Sequence, residues 1–189
     1  MRAKGVGPAD RHAPSPAVAR VASRRAAEVQ ARGKLTRAVR AMKLAGGGTV
    51  GDAVEKDKDA AARLAAEIER AVVIESDLIT DGSSRVTMSV GIEAVRQALS
   101  GVRTVSGEDT SAVWIVEAKR AAPAVGWKVQ VGGTSWEGPI LWTRERADIV
   151  GTGAVNAKAT SATGGVLTVS GPTAPPPAGA LVVVVVPEK

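Results

Sequence analysis

Apolar positions in the first 45 residues recur at helical spacing, after a strand-like start in "RAKGVG". Ser15 is a favourable N-cap, and Pro16 suits the first position of a helix, where its missing N–H costs nothing. The glycine run at residues 46–48 predicts the end of this helix, followed by a flexible connector. The pattern therefore predicts one long helix over about residues 16–45. Its apolar stripe consists of Leu35, Val39 and Met42.

The next stretch predicts a second helix and, after a hairpin, a short third one. Thr49 and Asp52 have the spacing of a capping box. "EKDKDAAARLAAEIERA" then predicts a helix that ends near residue 70, and "GIEAVRQALSG" predicts a short helix that stops at Gly101. The apolar face of the second helix comprises Ala61, Leu64 and Ile68.

The segment "AVVIESDLITDGSSRVTMSV" alternates apolar and polar residues on both sides of an Asp-Gly pair, which is typical of a β-hairpin. A two-residue turn would place Leu78 opposite Arg85. We therefore predict a three-residue loop, residues 80–82, with Gly82 in the left-handed conformation. The predicted register pairs residue 78 with 84, 76 with 86 and 74 with 88, and it places Ile74, Val86 and Met88 on one face.

From residue 112 onward the pattern changes to short apolar segments separated by glycine and proline, which is typical of β-strands. Gly132-Gly133 predicts a hairpin turn. The final run, "LVVVVV", has no alternation and suits a strand covered on both faces. A strand used in oligomer contacts and a lipid-anchored segment are the alternatives for this run. The predicted segments are "AVWIVEA", "WKVQV", "ILW", "ADIVG", "VLTVS" and "LVVVVV".

The two halves of the chain differ in composition, which predicts two domains. There is no Phe and no Tyr, and all four Trp residues lie beyond residue 110. The predicted fold class is α+β: an antiparallel sheet with a long basic helix and a second helix packed on it, followed by a β-rich C-terminal domain. The predicted boundaries are 1–103 and 112–189, with the polar stretch "RTVSGEDTS" between them.

Positive charge is concentrated near the N-terminus. Residues 1–45 hold 11 Lys and Arg against two acids, whereas the rest of the chain holds 14 against 17. Such a helix could bind nucleic acid or another acidic polymer. However, a helix turns about 100° per residue, and at that rotation the basic side chains lie on all sides of the helix and not along one stripe. The first half of the chain also has no aromatic side chain to stack on a base. A solvated, partly ion-paired helix is therefore favoured, and nucleic-acid binding is the alternative. The candidate interaction residues are Arg24, Arg25, Arg32, Arg37 and Arg40.

The tryptophans are the only aromatic side chains, so we expect them mainly to fill the core of the second domain. A platform for glycan chains or an anchor for a protein partner is the alternative. Trp136 and Trp142 are the candidate interaction residues of this kind.

No residue pattern indicates catalysis, a cofactor or a metal. There is no Cys, and the only histidine, His12, lies in a polar, Pro-flanked segment. Glu75, Asp77 and Asp81 lie on the predicted wet face of the hairpin, whereas a catalytic pair of carboxyl groups needs two different environments. "DAVEKDKDAA" lacks the Gly and terminal Glu of a calcium loop, and "GGGTVGD" lacks the Lys of a phosphate loop. We therefore expect no enzymatic activity.

Residues 1–101 resemble a bacterial family. "AKGVGPADRHAPSPAVARVASRRAAEVQARGKLTRAV", then "TVGDAV" and "ESDLITDGSSRVTMSVGIE", are similar to the Lpp-twenty lipoprotein family, which is related to the N-terminal domain of flagellar assembly protein T. Residues 113–142 resemble the segment that often follows in such proteins. The resemblance implies helices on an antiparallel sheet and residence in the cell envelope, and it brings no catalytic residues.

These observations together predict a non-enzymatic protein of the periplasm or outer membrane, acting as a structural or assembly component through protein–protein contacts. We expect a homo-oligomer or a subunit of an envelope assembly. The first residues carry no export signal. The longest apolar run has seven residues, Ala180–Val186, against roughly 20 for a membrane span. Membrane contact is therefore expected only through a lipid anchor, and this chain lacks the acylated Cys of the lipoproteins.

Overall fold

The computed structural model of the protein describes residues 1–101, 113–119, 121–122, 124–136, 138, 140–143, 154–170, 176–177 and 180–186. These residues contain both helices and strands, so the predicted mixed α and β content is confirmed. The chain divides into two compact units. Unit 1 comprises Met1–Met42 and Thr49–Gly101, and unit 2 comprises Lys43–Gly48 and Val102–Lys189.

Unit 1 contains a three-stranded antiparallel sheet and four helices. In chain order its elements are β1 (Arg2–Gly7), α1 (Pro16–Arg40), α2 (Val50–Lys56), α3 (Lys58–Glu69), β2 (Val72–Leu78), β3 (Ser84–Ser89) and α4 (Ile92–Ser100). The strand order is β1-β3-β2, which leaves β1 and β2 at the edges. Helix α1 packs on β1 and β3, whereas α3 packs on α4, α2 and α1.

Helix α1 begins as predicted and ends earlier. The Ser15 hydroxyl accepts a hydrogen bond from the Val18 amide, and Pro16 is the first helical residue. The helix ends at Arg40 instead of near residue 45, with Ala41 as its C-cap. The Met42 carbonyl accepts a hydrogen bond from the Val50 amide, so it is not used to continue the helix. The buried face repeats every four residues and consists of Ser23, Ala27, Ala31, Leu35 and Val39.

Strand β1 and helix α1 approach closely because both contribute small residues. A Cβ atom at Gly5 would overlap the Ala27 carbonyl, and one at Gly7 would overlap the Ser23 carbonyl. The Ser23 hydroxyl donates a hydrogen bond of 2.8 Å to the Gly7 carbonyl. The two glycines therefore set the distance between the helix and the sheet.

The predicted second helix is two helices, since Asp57 interrupts it. Asp57 ends α2 and caps α3, where its carboxylate accepts hydrogen bonds from the amides of Asp59 and Ala60. The capping box of Thr49 and Asp52 is confirmed. The buried residues of α3 are Ala60, Leu64 and Ile68, with the predicted Ala61 half-buried beside them.

The hairpin confirms the predicted loop but not the whole register. The Ile79 amide donates to the Ser83 carbonyl across residues 80–82, and Gly82 has φ +84. The pairs 78–84 and 76–86 are as predicted. A β-bulge between Val73 and Glu75 then pairs residue 73, not 74, with residue 88. The predicted pairing of Ile74 with Met88 is therefore wrong, and Ile74 is 42% exposed whereas Val86 and Met88 are buried.

The described residues of unit 2 contain one mixed sheet of seven strands. They are β4 (Val113–Glu117), β5 (Lys128–Val131), β6 (Thr134–Trp136), β7 (Ile140–Thr143), β8 (Val155–Thr163), β9 (Val166–Ser170) and β10 (Leu181–Val185), in the order β6-β5-β9-β8-β4-β10-β7. The turn at Gly132-Gly133 joins β5 and β6 as predicted. Strand β8 was not predicted, because "VNAKATSAT" contains few large apolar residues. The predicted segment "ADIVG" lies outside the described residues.

The valine run is a buried strand, as predicted. Strand β10 lies between β4 and β7 and is parallel to both. Val182 and Val184 are fully buried in the main core of unit 2, and Val183 and Val185 are buried as well. A strand with two parallel neighbours and buried side chains needs no alternation of polar residues, which explains the run.

The glycine-rich segment at residues 43–48 belongs to unit 2, although the predicted boundary assigned it to the first domain. The Ala45 amide donates to the Val125 carbonyl and the Val125 amide donates to the Lys43 carbonyl, each at 2.9 Å. The Leu44 amide donates to the Gly48 carbonyl, which closes a turn. In place of the predicted flexible connector, the structure has a hydrogen-bonded turn.

Candidate interaction surface

Three of the five candidate arginines of α1 form ion pairs. Arg24 pairs with Glu28 at 3.0 Å, one helical turn further along. The other two pairs are Arg32 with Glu69 of α3 at 3.6 Å and Arg40 with Glu55 of α2 at 2.8 Å. The prediction of a partly ion-paired helix is therefore confirmed. These contacts offset positive charge that would otherwise face an acidic polymer.

The remaining two candidates, Arg25 and Arg37, are exposed. They are separated by twelve positions, or more than three helical turns, so they do not form one compact cluster. The Nε atom of Arg32 is buried and makes no hydrogen bond within the described part of the chain. The structure thus does not bring the five arginines together into a single site.

All four tryptophans lie in or against the core of unit 2. Trp114 and Trp127 are buried, and the Trp127 indole donates a hydrogen bond of 3.1 Å to the Ala122 carbonyl. The candidates Trp136 and Trp142 are half-buried against the same core. The Trp127 and Trp142 ring centroids are 6.5 Å apart. Filling the core, as predicted, is the main role that these positions indicate.

Strand β2 carries a group of exposed large apolar side chains. Val72, Ile74 and Leu78 are 63%, 42% and 54% exposed. Within the described residues β2 pairs only with β3, so its other edge has no strand beside it. Sequence reasoning missed this surface because the alternation of β2 predicts a buried face, and the bulge and the edge position both remove that burial.

The carboxylates of the hairpin lie on the same strand and its loop. The Glu75 carboxylate accepts a hydrogen bond of 2.9 Å from the Thr87 hydroxyl, and Asp77 is opposite Arg85. The Asp81 carboxylate accepts a hydrogen bond of 2.8 Å from the Ser83 amide, and hydrogen bonds from Ser83 lower the pKa of Asp81. All three residues are exposed, so the hairpin presents an acidic surface.

A shallow groove adjoins the end of β2. It has a volume of about 600 Å³ and is lined mostly by apolar groups. Pro16, Ala19 and Arg20 contribute from the first turns of α1, and Leu78, Ile79 and Gly82 contribute from the hairpin. The exposed side chain of Leu78 therefore belongs both to the lining of the groove and to the exposed apolar group of β2.

Other kinds of site were considered within the described residues. No group of three or more His, Asp or Glu residues is arranged there to hold a metal ion. No helix among these residues combines the length and the apolar character that a membrane span needs.

No protein-family model matches the chain, and neither a curated protein nor a solved structure matches it.

Proposed function

We propose that this protein is a non-enzymatic component of the bacterial cell envelope, in the periplasm or at the outer membrane, that acts in assembly or as a structural element through protein–protein contacts. The observation that carries the proposal is the exposed edge of β2. This strand bears three exposed large apolar side chains and pairs with one strand among the residues that the structure describes. The family resemblance of residues 1–101 supports the envelope setting.

Physical chemistry favours a protein partner for this edge. Exposed edge strands with apolar side chains promote pairing with another chain, and natural proteins usually cover or shorten them. Strand β2 has seven residues, which is long enough for pairing. A partner that covers β2 would remove the apolar side chains from water and satisfy backbone groups at the same time.

The proposal includes the finer arrangement that the resemblance implies. A first domain at residues 1–103 carries a long helix and a second helix on an antiparallel sheet, and a β-rich domain at residues 112–189 follows. The first domain supplies much of the contact with neighbouring subunits, in a homo-oligomer or as one subunit of a larger envelope assembly.

Chemical crosslinking in cells, followed by fractionation, tests this proposal. We expect the protein in the envelope fraction, crosslinked to itself or to a defined partner. Sedimentation velocity of the purified protein at micromolar concentration and physiological salt then distinguishes a homo-oligomer from a subunit that needs a different partner. A monomer with no crosslinked partner in the envelope would overturn the proposal. A monomer that instead binds nucleic acid, with a steep loss of affinity as salt rises, would favour the basic helix as the functional element.

A further inference from the structure

We propose that the free edge of β2 binds an extended segment of a partner protein, in which Lys or Arg alternates with apolar residues, as a fourth strand of the sheet. This inference rests on the proposed function, since it identifies the surface and the chemistry of the contact. Three features of β2 carry it: its backbone, its side chains and its charge.

The backbone of β2 is available at the outer edge. The Ile79 amide donates to the Ser83 carbonyl, and hydrogen-bonded pairs alternate along an antiparallel ladder from that point. Ser76 and Leu78 therefore direct their backbone N–H and C=O groups away from β3. The other edge of the sheet differs, because the Val6 amide of β1 donates to the Gln30 side chain of α1 at 2.9 Å. Helix α1 thus covers part of the β1 edge, whereas no side chain in the described part of the chain bonds to the outer backbone groups of β2.

The side chains of β2 offer apolar contacts to an added strand. Val72, Ile74 and Leu78 are spread along the strand, and the groove beside Leu78 has room for at least one apolar side chain of a ligand. Added strands obtain affinity from main-chain hydrogen bonds and specificity from such side-chain contacts.

The negative charge along the β2 edge favours a basic binding segment. Residues 71–84 contain Glu75, Asp77 and Asp81 and no Lys or Arg. Because opposite charges across neighbouring strands stabilise pairing, lysines or arginines on the added strand face a complementary surface. Arg85 of β3 lies opposite Asp77 and offsets part of this negative charge. Glu75, in contrast, faces the neutral hydroxyl of Thr87.

The same acids disfavour a second copy of β2 as the occupant. Antiparallel self-pairing centred on Ser76 brings residue 74 opposite residue 78, which joins apolar side chains. That register also places Glu75 opposite Asp77 twice, and a register centred on Glu75 places it opposite itself. Like charges directly opposite each other destabilise a strand pair. A different, basic segment therefore fits this edge better than β2 of another subunit.

Binding of synthetic peptides to the full-length protein tests the inference. The probe is a fluorescent peptide of alternating lysine and valine, seven residues long with blocked termini. The control peptide has glutamate in place of lysine. We expect the lysine peptide to bind at least about tenfold more tightly in fluorescence anisotropy at low ionic strength, with a smaller difference at high salt. A lysine peptide in which every backbone amide is N-methylated has no N–H to donate to the ladder, and we expect it to lose binding by a similar factor.

Protein variants localise the binding to β2. Ser76→Pro removes the outward N–H and should weaken binding of the lysine peptide at least about tenfold, whereas Ser76→Ala should stay within about twofold. The pair Glu75→Gln/Asp77→Asn removes the charge without changing size and should also weaken binding. Its matched control is Glu55→Gln/Asp59→Asn on α2 and α3, which should not. The neutral pair keeps the test decisive if Ser76→Pro disturbs folding.

Three results would overturn the inference: equal binding of lysine and glutamate peptides, full binding of the N-methylated peptide, or full binding after neutralisation of Glu75 and Asp77. A dimer in sedimentation velocity that the edge substitutions abolish would also overturn it, because a second copy would then occupy β2. If crosslinking still recovers an envelope partner in any of these cases, the proposed function stands and only the assignment of its surface fails.

Discussion

At the scale of single residues, two glycines allow β1 to lie directly on α1. Gly7→Ala would place a methyl group on the Ser23 carbonyl oxygen, and that atom belongs to helix backbone that cannot move independently. We expect the substitution to lower the free energy of unfolding by at least about 2 kcal/mol. Urea denaturation followed by circular dichroism measures this change.

Gly33→Ala is the matched control for this prediction. Gly33 lies within α1, and a Cβ atom there would meet nothing within 4 Å. Alanine restricts the unfolded chain and favours helix, so the variant should gain about 0.4–1 kcal/mol. Similar effects of Gly7→Ala and Gly33→Ala would show that close packing of β1 on α1 is not what Gly7 provides.

At the scale of elements, three aspartates hold helix starts and the hairpin turn. Hydrogen bonds that the Asp52 carboxylate accepts from the Thr49 side chain and backbone lower the pKa of Asp52. Hydrogen bonds from the Ala60 and Asp59 amides lower the pKa of Asp57, and hydrogen bonds from Ser83 lower the pKa of Asp81. Each pKa is lower in the folded state than its ordinary value of 3.8. The stabilisation is therefore complete above that value and is lost as the pH falls through the folded-state pKa.

We accordingly expect the free energy of unfolding to fall as the pH drops below about 4. The triple variant Asp52→Asn/Asp57→Asn/Asp81→Asn retains capping side chains that cannot titrate. Denaturant titrations at pH 6, 4 and 3 should show a smaller loss for the variant than for the parent. An equal loss in both proteins would mean that other groups control acid stability.

The valine strand gives a second prediction at this scale. Val184→Ala removes two methyl groups from a fully buried position in β10. The lost burial and the resulting cavity should cost roughly 2 kcal/mol. Val155→Ala on β8 is the control, because this valine is exposed and its truncation should cost less than about 0.5 kcal/mol. Comparable losses for the two variants in thermal or urea unfolding would argue against β10 as a core strand.

At the scale of the whole molecule, the division into units predicts where a protease cuts. The sequence favours first cleavage between Arg103 and Ser111, or in the proline-rich stretch at residues 175–177. Lys43 is a second trypsin target within the glycine-rich segment, but its carbonyl accepts a hydrogen bond from the Val125 amide. We therefore expect trypsin to cleave at Arg103 before Lys43, as followed by mass spectrometry over time. Early cleavage at Lys43, or cleavage at the termini alone, would contradict this organisation.

Sequence alone determined the features that depend on near neighbours. The caps at Ser15 and Thr49, the loop at residues 80–82 and the buried character of the valine run all follow from residue types a few positions apart. The partial ion pairing of α1 was also predicted from its composition, although its cross-helix partners, Glu55 and Glu69, were not. Local backbone preferences and side-chain capping act over one or two turns, so they can be predicted from the sequence alone.

Tertiary structure decided the features that depend on distant segments. Strand β8 forms inside the sheet despite a weak pattern because strands β4 and β9 supply its hydrogen bonds. The exposed edge of β2 follows from the strand order β1-β3-β2 and from the bulge at Ile74. Neither is encoded in the alternation of the strand itself, since the same alternation suits a central or an edge strand. The candidate binding surface could therefore not be predicted from periodicity, because burial on a sheet is decided by which strands become neighbours.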